Sequence, residues 1–308
     1  MKILKKKKIY GIISLLLTPF KDNKEVDFAR IKKLVNFMVK NGLKYISPTT
    51  STGEFASLTL EEYKEIIKLS FETAGNQIEI IPGISHTSQK VVFDLIDFVK
   101  DIGIDTVMIL PPYYYSGLTD KIIFEWYKAL NDKGINIIIY NNPALIQFNM
   151  MPSTITRYVE LENVIGMKES HFNITQYSQT LRLVGDKISV IYGPGDYNAY
   201  EIMLLGGKSF FSGLVNFVPR LMLYHFNNLK NYNIPEAKRI NNLIKKFNDL
   251  CLYKGAVHEI AVYKSALEYF GFGKANDRLP VKSLDRIEKN ELKGVLKILE
   301  KEEAKLPK

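Results

Sequence analysis

Short apolar runs alternate with longer amphipathic segments along most of the chain. Several of the short runs are rich in Ile and Val and are bounded by Gly, Pro or Asn, a pattern typical of buried strands. These runs predict eight strands: Tyr10–Leu17, Tyr45–Ser47, Ile78–Ile81, Thr106–Leu110, Asn136–Tyr140, Val164–Lys168, Ser189–Tyr192 and Lys208–Phe211.

The longer segments carry apolar residues at helical spacing. In the first of them Ile31, Leu34 and Met38 share one face. The second begins with Thr59 and Glu62, which match a capping box. The predicted helices are Asp27–Lys40, Leu60–Ala74, Gln89–Lys100, Asp120–Asn131, Ser153–Glu160, Thr175–Val184, Tyr197–Leu205 and Arg220–Leu229.

Eight strand–helix pairs in succession are typical of parallel α/β structure. Because an open doubly wound sheet usually has fewer strands, eight pairs favour a (β/α)8 TIM barrel. The remaining chain predicts three more helices, Glu236–Phe247, Ala256–Phe270 and Ser283–Lys301. We therefore expect a barrel over residues 9–230 and a C-terminal helical appendage over 231–308, as one structural unit.

Composition and charge exclude some classes of protein. The 308 residues are 46% hydrophobic and 24% charged, which is ordinary for a globular chain. The single cysteine, Cys251, rules out a disulfide within the chain and fits a reducing compartment, so we expect a cytoplasmic protein. Five lysines fall in the first eight residues and account for much of the net charge of +9. We interpret them as a solvated tail and expect neither nucleic-acid nor membrane binding.

The apolar run Ile9–Leu17 follows these lysines and has two interpretations. It could be the core of a secretory signal, although no small-x-small cleavage site follows it. It is also too short to span a bilayer. A buried strand is therefore the favoured interpretation.

Candidate chemistry lies where the predicted strands end, because (β/α)8 barrels carry their active sites there. Tyr140 ends the fifth strand and Lys168 ends the sixth. Burial disfavours a charged ammonium group, and a neutral amine can attack a ketone to form a Schiff base. The alternative is that Lys168 extends its amine to solvent at the rim, and position alone leaves both interpretations open.

Two other strand ends carry polar groups. A turn rich in hydroxyl groups, Thr49-Thr50-Ser51-Thr52-Gly53, follows the second strand and could bind a carboxylate or simply cap the next helix. The fourth strand ends in Pro111-Pro112-Tyr113-Tyr114-Tyr115, whose phenols could relay protons or pack at an interface.

Together these segments resemble the pyruvate-dependent class I aldolases and lyases that include dihydrodipicolinate synthase, N-acetylneuraminate lyase and 2-keto-3-deoxygluconate aldolase. The resemblance extends from about residue 9 to 300. It rests on Leu17-Thr18-Pro19-Phe20, Ser51-Thr52-Gly53-Glu54, Pro111-Pro112-Tyr113-Tyr114, Tyr140-Asn141-Asn142-Pro143, Gly166-Met167-Lys168-Glu169-Ser170, Asn216-Phe217-Val218-Pro219 and Arg278-Leu279-Pro280.

The resemblance implies roles for individual residues. Lys168 matches the Schiff-base lysine, and Tyr140 matches the tyrosine that carries protons at the substrate oxygen. Ser51 and Thr52 match the pair that holds the carboxylate of pyruvate. Tyr114 is similar to a tyrosine that reaches into a neighbouring subunit, and family members are commonly homotetramers. The implied reaction joins pyruvate to a small aldehyde, or reverses that step, and requires no metal or organic cofactor.

Further candidates are weaker. Asp196 follows Gly193-Pro194-Gly195 and resembles an acid that meets the substrate tail, although it could equally be a helix N-cap. Ser212, after the eighth strand, is a further candidate for substrate binding. His171, close to Lys168, could touch substrate, whereas the four histidines show no metal-ligand spacing.

The second substrate depends on Leu145. Dihydrodipicolinate synthases usually carry an arginine here, two residues after the Tyr-Asn-x-Pro motif, and leucine cannot form that carboxylate pair. Pro143-Ala144-Leu145 resembles sialic acid lyases, but Tyr197 stands where those lyases have an acid. We therefore favour an aldolase or lyase of 2-keto-3-deoxy sugar acids or sialic-acid-like 2-oxo acids. The alternatives are 4-hydroxy-tetrahydrodipicolinate synthase, a 2-oxo acid dehydratase, or a non-catalytic 2-oxo acid sensor.

Overall fold

The computed structural model describes residues 6–252 and 254–307. Eight strands form one sheet in the order β3-β2-β1-β8-β7-β6-β5-β4, and the registers that are defined are parallel. The strands are β1 (Gly11–Leu15), β2 (Tyr45–Ser47), β3 (Glu79–Ile80), β4 (Thr106–Ile109), β5 (Asn136–Asn141), β6 (Val164–Glu169), β7 (Ser189–Tyr192) and β8 (Ser209–Ser212).

The two ends of this strand order are joined by backbone hydrogen bonds. Ile84 N donates to Met108 O at 3.0 Å, and Met108 N donates to Pro82 O at 2.9 Å. These bonds link the segment after β3 to β4, so the sheet closes as a (β/α)8 TIM barrel. The predicted fold class is confirmed.

Helices follow the strands as the spacing predicts. α2 and α4 begin and end at the predicted residues, and in α2 both hydrogen bonds of the Thr59–Glu62 capping box form. The sequence did not predict the short α5. The helices are α1 (Phe28–Lys40), α2 (Leu60–Ala74), α3 (Gln89–Asp101), α4 (Asp120–Asn131), α5 (Pro143–Ile146), α6 (Pro152–Tyr158), α7 (Ile174–Val184), α8 (Gly195–Leu204), α9 (Pro219–Lys230), α10 (Ile234–Cys251), α11 (Gly255–Tyr269) and α12 (Arg286–Ala304).

Contacts divide the chain into two compact units. The first is built on 81–211 together with the segment that ends at Gly11, and the second on 12–80 together with the chain from Ser212 onward. The first unit contains β4 to β7 and the helices between them, and the fully buried strand residues there are mainly Ile and Val.

The second unit contains β2 and the C-terminal helices. Glu303 of α12 accepts hydrogen bonds from the backbone N–H groups of Arg220 and Leu221 at 3.1 and 2.7 Å. These N–H groups lie in the first turn of α9, where a helix leaves its donors unpaired and favours negative charge. One carboxylate therefore holds α12 against the beginning of α9.

The lysine run was predicted to be a solvated tail, and this is wrong for its described part. Lys6 Nζ donates to the carbonyl groups of Val159, Leu161 and Val164 at 2.7 to 2.9 Å. Lys7 pairs with Asp105 at 3.1 Å. A lysine has three donors, so the single Lys6 ammonium group can bind all three carbonyl groups around the beginning of β6. Lys2 and Lys5 lie outside the described residues.

The apolar run near the beginning of the chain forms a strand, as predicted. Gly11–Leu15 is fully buried as β1 and pairs with β2. Across the described residues, no helix is both long enough and apolar enough to cross a membrane.

Candidate active site

Lys168 and Tyr140 lie directly opposite each other on β6 and β5. The Lys168 Nζ atom is 4.2 Å from the centre of the Tyr140 ring and 4.3 Å from the centre of the Phe211 ring, which belongs to β8. Lys168 is only 3% exposed, so the alternative in which its amine reaches solvent at the rim is wrong. The amine is thus held between two aromatic faces at the carboxyl end of its strand.

The phenol of Tyr140 is oriented by its neighbours. Its Oη accepts a hydrogen bond from Asn142 Nδ2 at 3.0 Å, and the side chain is 4% exposed. The Tyr140 backbone N–H donates to Tyr127 Oη at 3.2 Å, and that phenol donates to Ile109 O at 2.7 Å. Burial raises the pKa of Tyr127 far above its usual range, so it remains a neutral donor. Tyr127 therefore links the backbone of β4 at Ile109 to the backbone of β5 at Tyr140.

The opposite face of the same two strands carries a buried polar network. Asn141 is opposite Glu169, and its Nδ2 lies 3.3 Å from both carboxylate oxygens. His171 Nε2 also pairs with Glu169, which is completely buried. Burial raises the pKa of Glu169, although His171 and Asn141 both oppose the rise. Because successive strand residues face opposite sides, this network fixes the register of Tyr140 and Lys168 without facing them.

The turn after β2 is held closely against the end of β1. Thr18 Oγ1 donates to Gly53 O at 2.6 Å. A Cβ atom at Gly53 would lie 2.8 Å from Leu16 O, so glycine is required for this approach. The Ser51 hydroxyl is buried and has no hydrogen-bond partner among the described residues. The turn thus presents an unused hydroxyl group, as a site for a carboxylate would require.

Glu54, the residue that directly follows this turn, belongs to a buried ion cluster. Lys264 Nζ of α11 lies 2.7 Å from Glu54 Oε1 and 3.2 Å from Asp277 Oδ1. Burial raises the pKa of Glu54, and Lys264 opposes that rise. This cluster was not predicted, although the sequence carries one signal of it: Lys264 interrupts a buried apolar stretch of α11.

Asp196 and Ser212 occupy different environments. Asp196 is 5% exposed and lies in the first turn of α8, where the N-cap position is Pro194. The N-cap interpretation of Asp196 is therefore wrong. Ser212 ends β8 and is fully buried, and its hydroxyl has no hydrogen-bond partner among the described residues.

Tyr114 has a strained backbone and an exposed side chain. Its φ is +88°, in the region that bulky residues rarely adopt, and its side chain is 87% exposed. Its ring contacts only Tyr115 among the aromatic residues described, at 5.7 Å between centroids. Such strain persists only when its surroundings or its function require it.

The loops that carry an active site in this fold are poor in positive charge. Seven segments connect the strands β2 to β8 each to the helix that follows. None of these connecting segments contains Arg or Lys. Leu145 lies on α5, after β5, and is 40% exposed. Within the described part of the chain, no cluster of three or more His, Cys, Asp or Glu side chains could hold a metal ion.

Comparison with known proteins identifies the class. Residues 8–299 match the model of the dihydrodipicolinate synthetase family. The chain therefore belongs to that family, whose members are enzymes of the class I aldolase and lyase type that use pyruvate.

Individual relatives cover almost the whole chain. The 4-hydroxy-tetrahydrodipicolinate synthase of Thermodesulfovibrio yellowstonii is 30% identical over 288 residues, which cover 93% of this chain and 97% of that protein. The crystal structure of dihydrodipicolinate synthase from Aquifex aeolicus has a TM-score of 0.86 at 28% identity, covering 95% of this chain and 98% of that one. The Acinetobacter baumannii enzyme, in a structure complexed with pyruvate, has a TM-score of 0.87 at 27% identity, covering 95% and 99%.

Proposed function

We propose that this protein catalyses a Schiff-base aldol reaction of pyruvate, with Lys168 as the nucleophile. The observation that carries the proposal is the placement of the Lys168 amine, 3% exposed, between the rings of Tyr140 and Phe211 at the end of β6. The pyruvate complex of the related Acinetobacter baumannii enzyme supports the choice of substrate.

The reaction follows from the chemistry of a buried amine. Lys168 attacks C2 of pyruvate, water leaves, and the protonated imine withdraws electrons from C3. Loss of a C3 proton gives an enamine, which forms a carbon–carbon bond to an aldehyde carbon while the aldehyde oxygen gains a proton. Water then cleaves the imine, which releases a 4-hydroxy-2-oxo acid and restores the amine. Tyr140, held by Asn142, carries the proton at the oxygen atoms.

The other site residues bind and orient substrate. Ser51 and Thr52 hold the carboxylate of pyruvate, and the unpartnered Ser51 hydroxyl supports this role. Ser212 and Asp196 contact substrate as well. Tyr114 acts in a neighbouring subunit of a homotetramer in the cytoplasm, and its exposure and positive φ support a contact outside its own chain.

The relatives favour one aldehyde. Curated relatives at 28–30% identity carry the name 4-hydroxy-tetrahydrodipicolinate synthase. They support that activity, in which pyruvate condenses with aspartate semialdehyde, better than the sugar-acid aldolase favoured by the sequence. It is therefore the first candidate.

Leu145 supports a second candidate, in which the aldehyde is uncharged. The carboxylate of aspartate semialdehyde calls for a cation, and Arg provides a charge-assisted fork that Leu lacks. The segments after β2 to β8 contain no Arg or Lys that could substitute for it. An uncharged aldehyde, as in 2-keto-3-deoxy sugar acid or sialic-acid-like substrates, has no carboxylate at this position and would therefore lose no binding interaction.

Borohydride trapping tests the Schiff base. Pyruvate and borohydride should add a stable mass to the intact chain, and peptide mapping should place it on Lys168. Lys264 is a natural internal control, because it is equally buried but already paired with carboxylates. Labelling of another lysine, or none in a folded and active sample, would contradict the assignment.

Turnover separates the two candidate aldehydes. With saturating pyruvate, kcat/KM is measured for aspartate semialdehyde and for a panel of polyhydroxy aldehydes. A preference for aspartate semialdehyde establishes the first candidate, and a preference for a polyhydroxy aldehyde establishes the second.

A further inference from the structure

Two aromatic side chains lie beyond the ends of β6 and β7. Phe172 follows Lys168 by four residues, and Tyr197 lies in the first turn of α8. Their ring centroids are 5.5 Å apart and the rings meet at 89°, an edge-to-face pair. Phe172 nevertheless remains 60% exposed, so this ring has a face available to a ligand.

The loops that carry this pair are fixed to each other. Tyr192 Oη donates to His171 O at 3.0 Å and lies 3.4 Å from Asn198 Oδ1, and these two residues adjoin Phe172 and Tyr197. The Gly193 N–H donates to Glu169 O at 2.6 Å. The aromatic pair is therefore held on both sides by bonds between the two loops. Such preorganisation lowers the entropy lost when a ligand binds.

The loops beside the pair carry no Arg or Lys side chain to hold an anionic ligand. No Arg or Lys occurs between the ends of β4 to β7 and the helices that follow them. Two acids that are close to the pair in sequence are buried: Glu169 pairs with His171, and Asp196 is 5% exposed. An anionic group placed here would lose its hydration without gaining a cation. A flat aromatic or C–H face, in contrast, packs well on a phenyl ring.

We infer that Phe172 and Tyr197 form a subsite for the tail of the aldehyde, and that this tail is uncharged with a flat aromatic or C–H face. The inference rests on the proposed Schiff-base chemistry at Lys168. Of the two candidate aldehydes, it favours the uncharged one over aspartate semialdehyde. The tail takes no part in bond formation; it positions the aldehyde carbon for attack by the enamine.

Matched aldehyde pairs test the inference, each with saturating pyruvate. Benzaldehyde is compared with 4-carboxybenzaldehyde, and erythrose with erythrose 4-phosphate. In at least one pair the neutral member should have the higher kcat/KM, by about tenfold or more. The two benzaldehydes probe an aromatic face, and the two erythrose compounds probe a C–H face. The set that shows the preference therefore identifies which kind of face the tail of the aldehyde carries.

Two variants locate the effect. Phe172→Ala should lower kcat/KM for the preferred neutral aldehyde by about tenfold, because the packed ring face is lost. Leu204→Ala serves as the control, since Leu204 is an exposed apolar residue at the far end of α8. It should leave kcat/KM unchanged. Borohydride trapping of pyruvate should be the same in both variants and the wild type.

The trapping measurement separates the two levels of the proposal. Failure of the wild type to trap pyruvate at Lys168 refutes the proposed function itself. If pyruvate is trapped, three results overturn the subsite: an anionic member that reacts as fast as its neutral partner in both pairs, turnover of neither pair, or an unchanged kcat/KM in Phe172→Ala.

Discussion

Removal of the Lys264 charge is expected to destabilise the protein strongly. Lys264→Met keeps the length and apolar stem of the side chain, but leaves Glu54 and Asp277 without their cation. These side chains are 1% and 3% exposed, and Lys264 is 2% exposed. Loss of one partner from a buried ion pair typically costs about 3–5 kcal/mol, because the remaining charge stays buried and unpaired. We expect a loss in the free energy of unfolding within that range.

The loss in the free energy of unfolding should be larger at high pH than at low pH. Burial already raises the pKa of Glu54, and Lys264 opposes this rise. Without Lys264, the Glu54 pKa rises further in the folded state, so the folded protein binds protons that the unfolded chain does not. Stability of the variant relative to wild type therefore recovers as pH falls.

Urea unfolding at pH 8 and pH 5.5 measures both effects. Lys187→Met is the matched control, because Lys187 forms a comparable 3.1 Å pair with Glu160 but both side chains are exposed. Its unfolding midpoint should stay close to that of the wild type. A Lys264→Met variant that is as stable as the wild type at pH 8, or equally destabilised at both pH values, would refute the reasoning.

Three further predictions concern the active site and acid stability. Tyr140→Phe should fold normally by circular dichroism but lose roughly 10²- to 10⁴-fold in kcat/KM, because its phenol is the proposed proton carrier; a loss below about fivefold would assign the proton to another group. Leu145→Arg should shift the kcat/KM ratio toward aspartate semialdehyde through a new carboxylate pair, and an unchanged ratio would argue against this position as the specificity determinant. His225 is buried, and burial lowers its pKa from 6.5 to about 4, so at about 1.4 kcal/mol per pH unit the folded state should lose about 3 kcal/mol as pH falls from 6.5 to 4. His225→Leu should flatten that part of the urea-derived stability curve, and an unaltered slope would show that other groups cause it.

Local hydrogen bonds explain why many elements were predictable. The N-terminus of α2 depends on Thr59 and Glu62, which are three residues apart and bond each other's backbone. Apolar spacing likewise predicted α1, whose buried residues include Ile31, Leu34 and Met38. The short α5 was missed because its four residues are too few to show a helical period.

The positions of Lys168 and Tyr140 were predictable for the same reason. Each ends an apolar run, and strands in this fold present their carboxyl ends at one face. The sequence could not show whether Lys168 reached solvent, since burial depends on the residues that surround it. Phe211 was missed as a neighbour of that amine because nothing in its own strand marks it.

By itself the sequence determined the order of the strands and of the helices other than α5, the family, and the two residues for which we propose Schiff-base chemistry. Those inferences depend on spacing within short segments. Only the tertiary structure decided which distant groups meet: Lys264 with Glu54, or Lys6 with the carbonyl groups of Val159 and Leu161. Such pairs are far apart in the chain. Their stability comes from burial and charge complementarity, which cannot be inferred from the spacing of residues within a short segment.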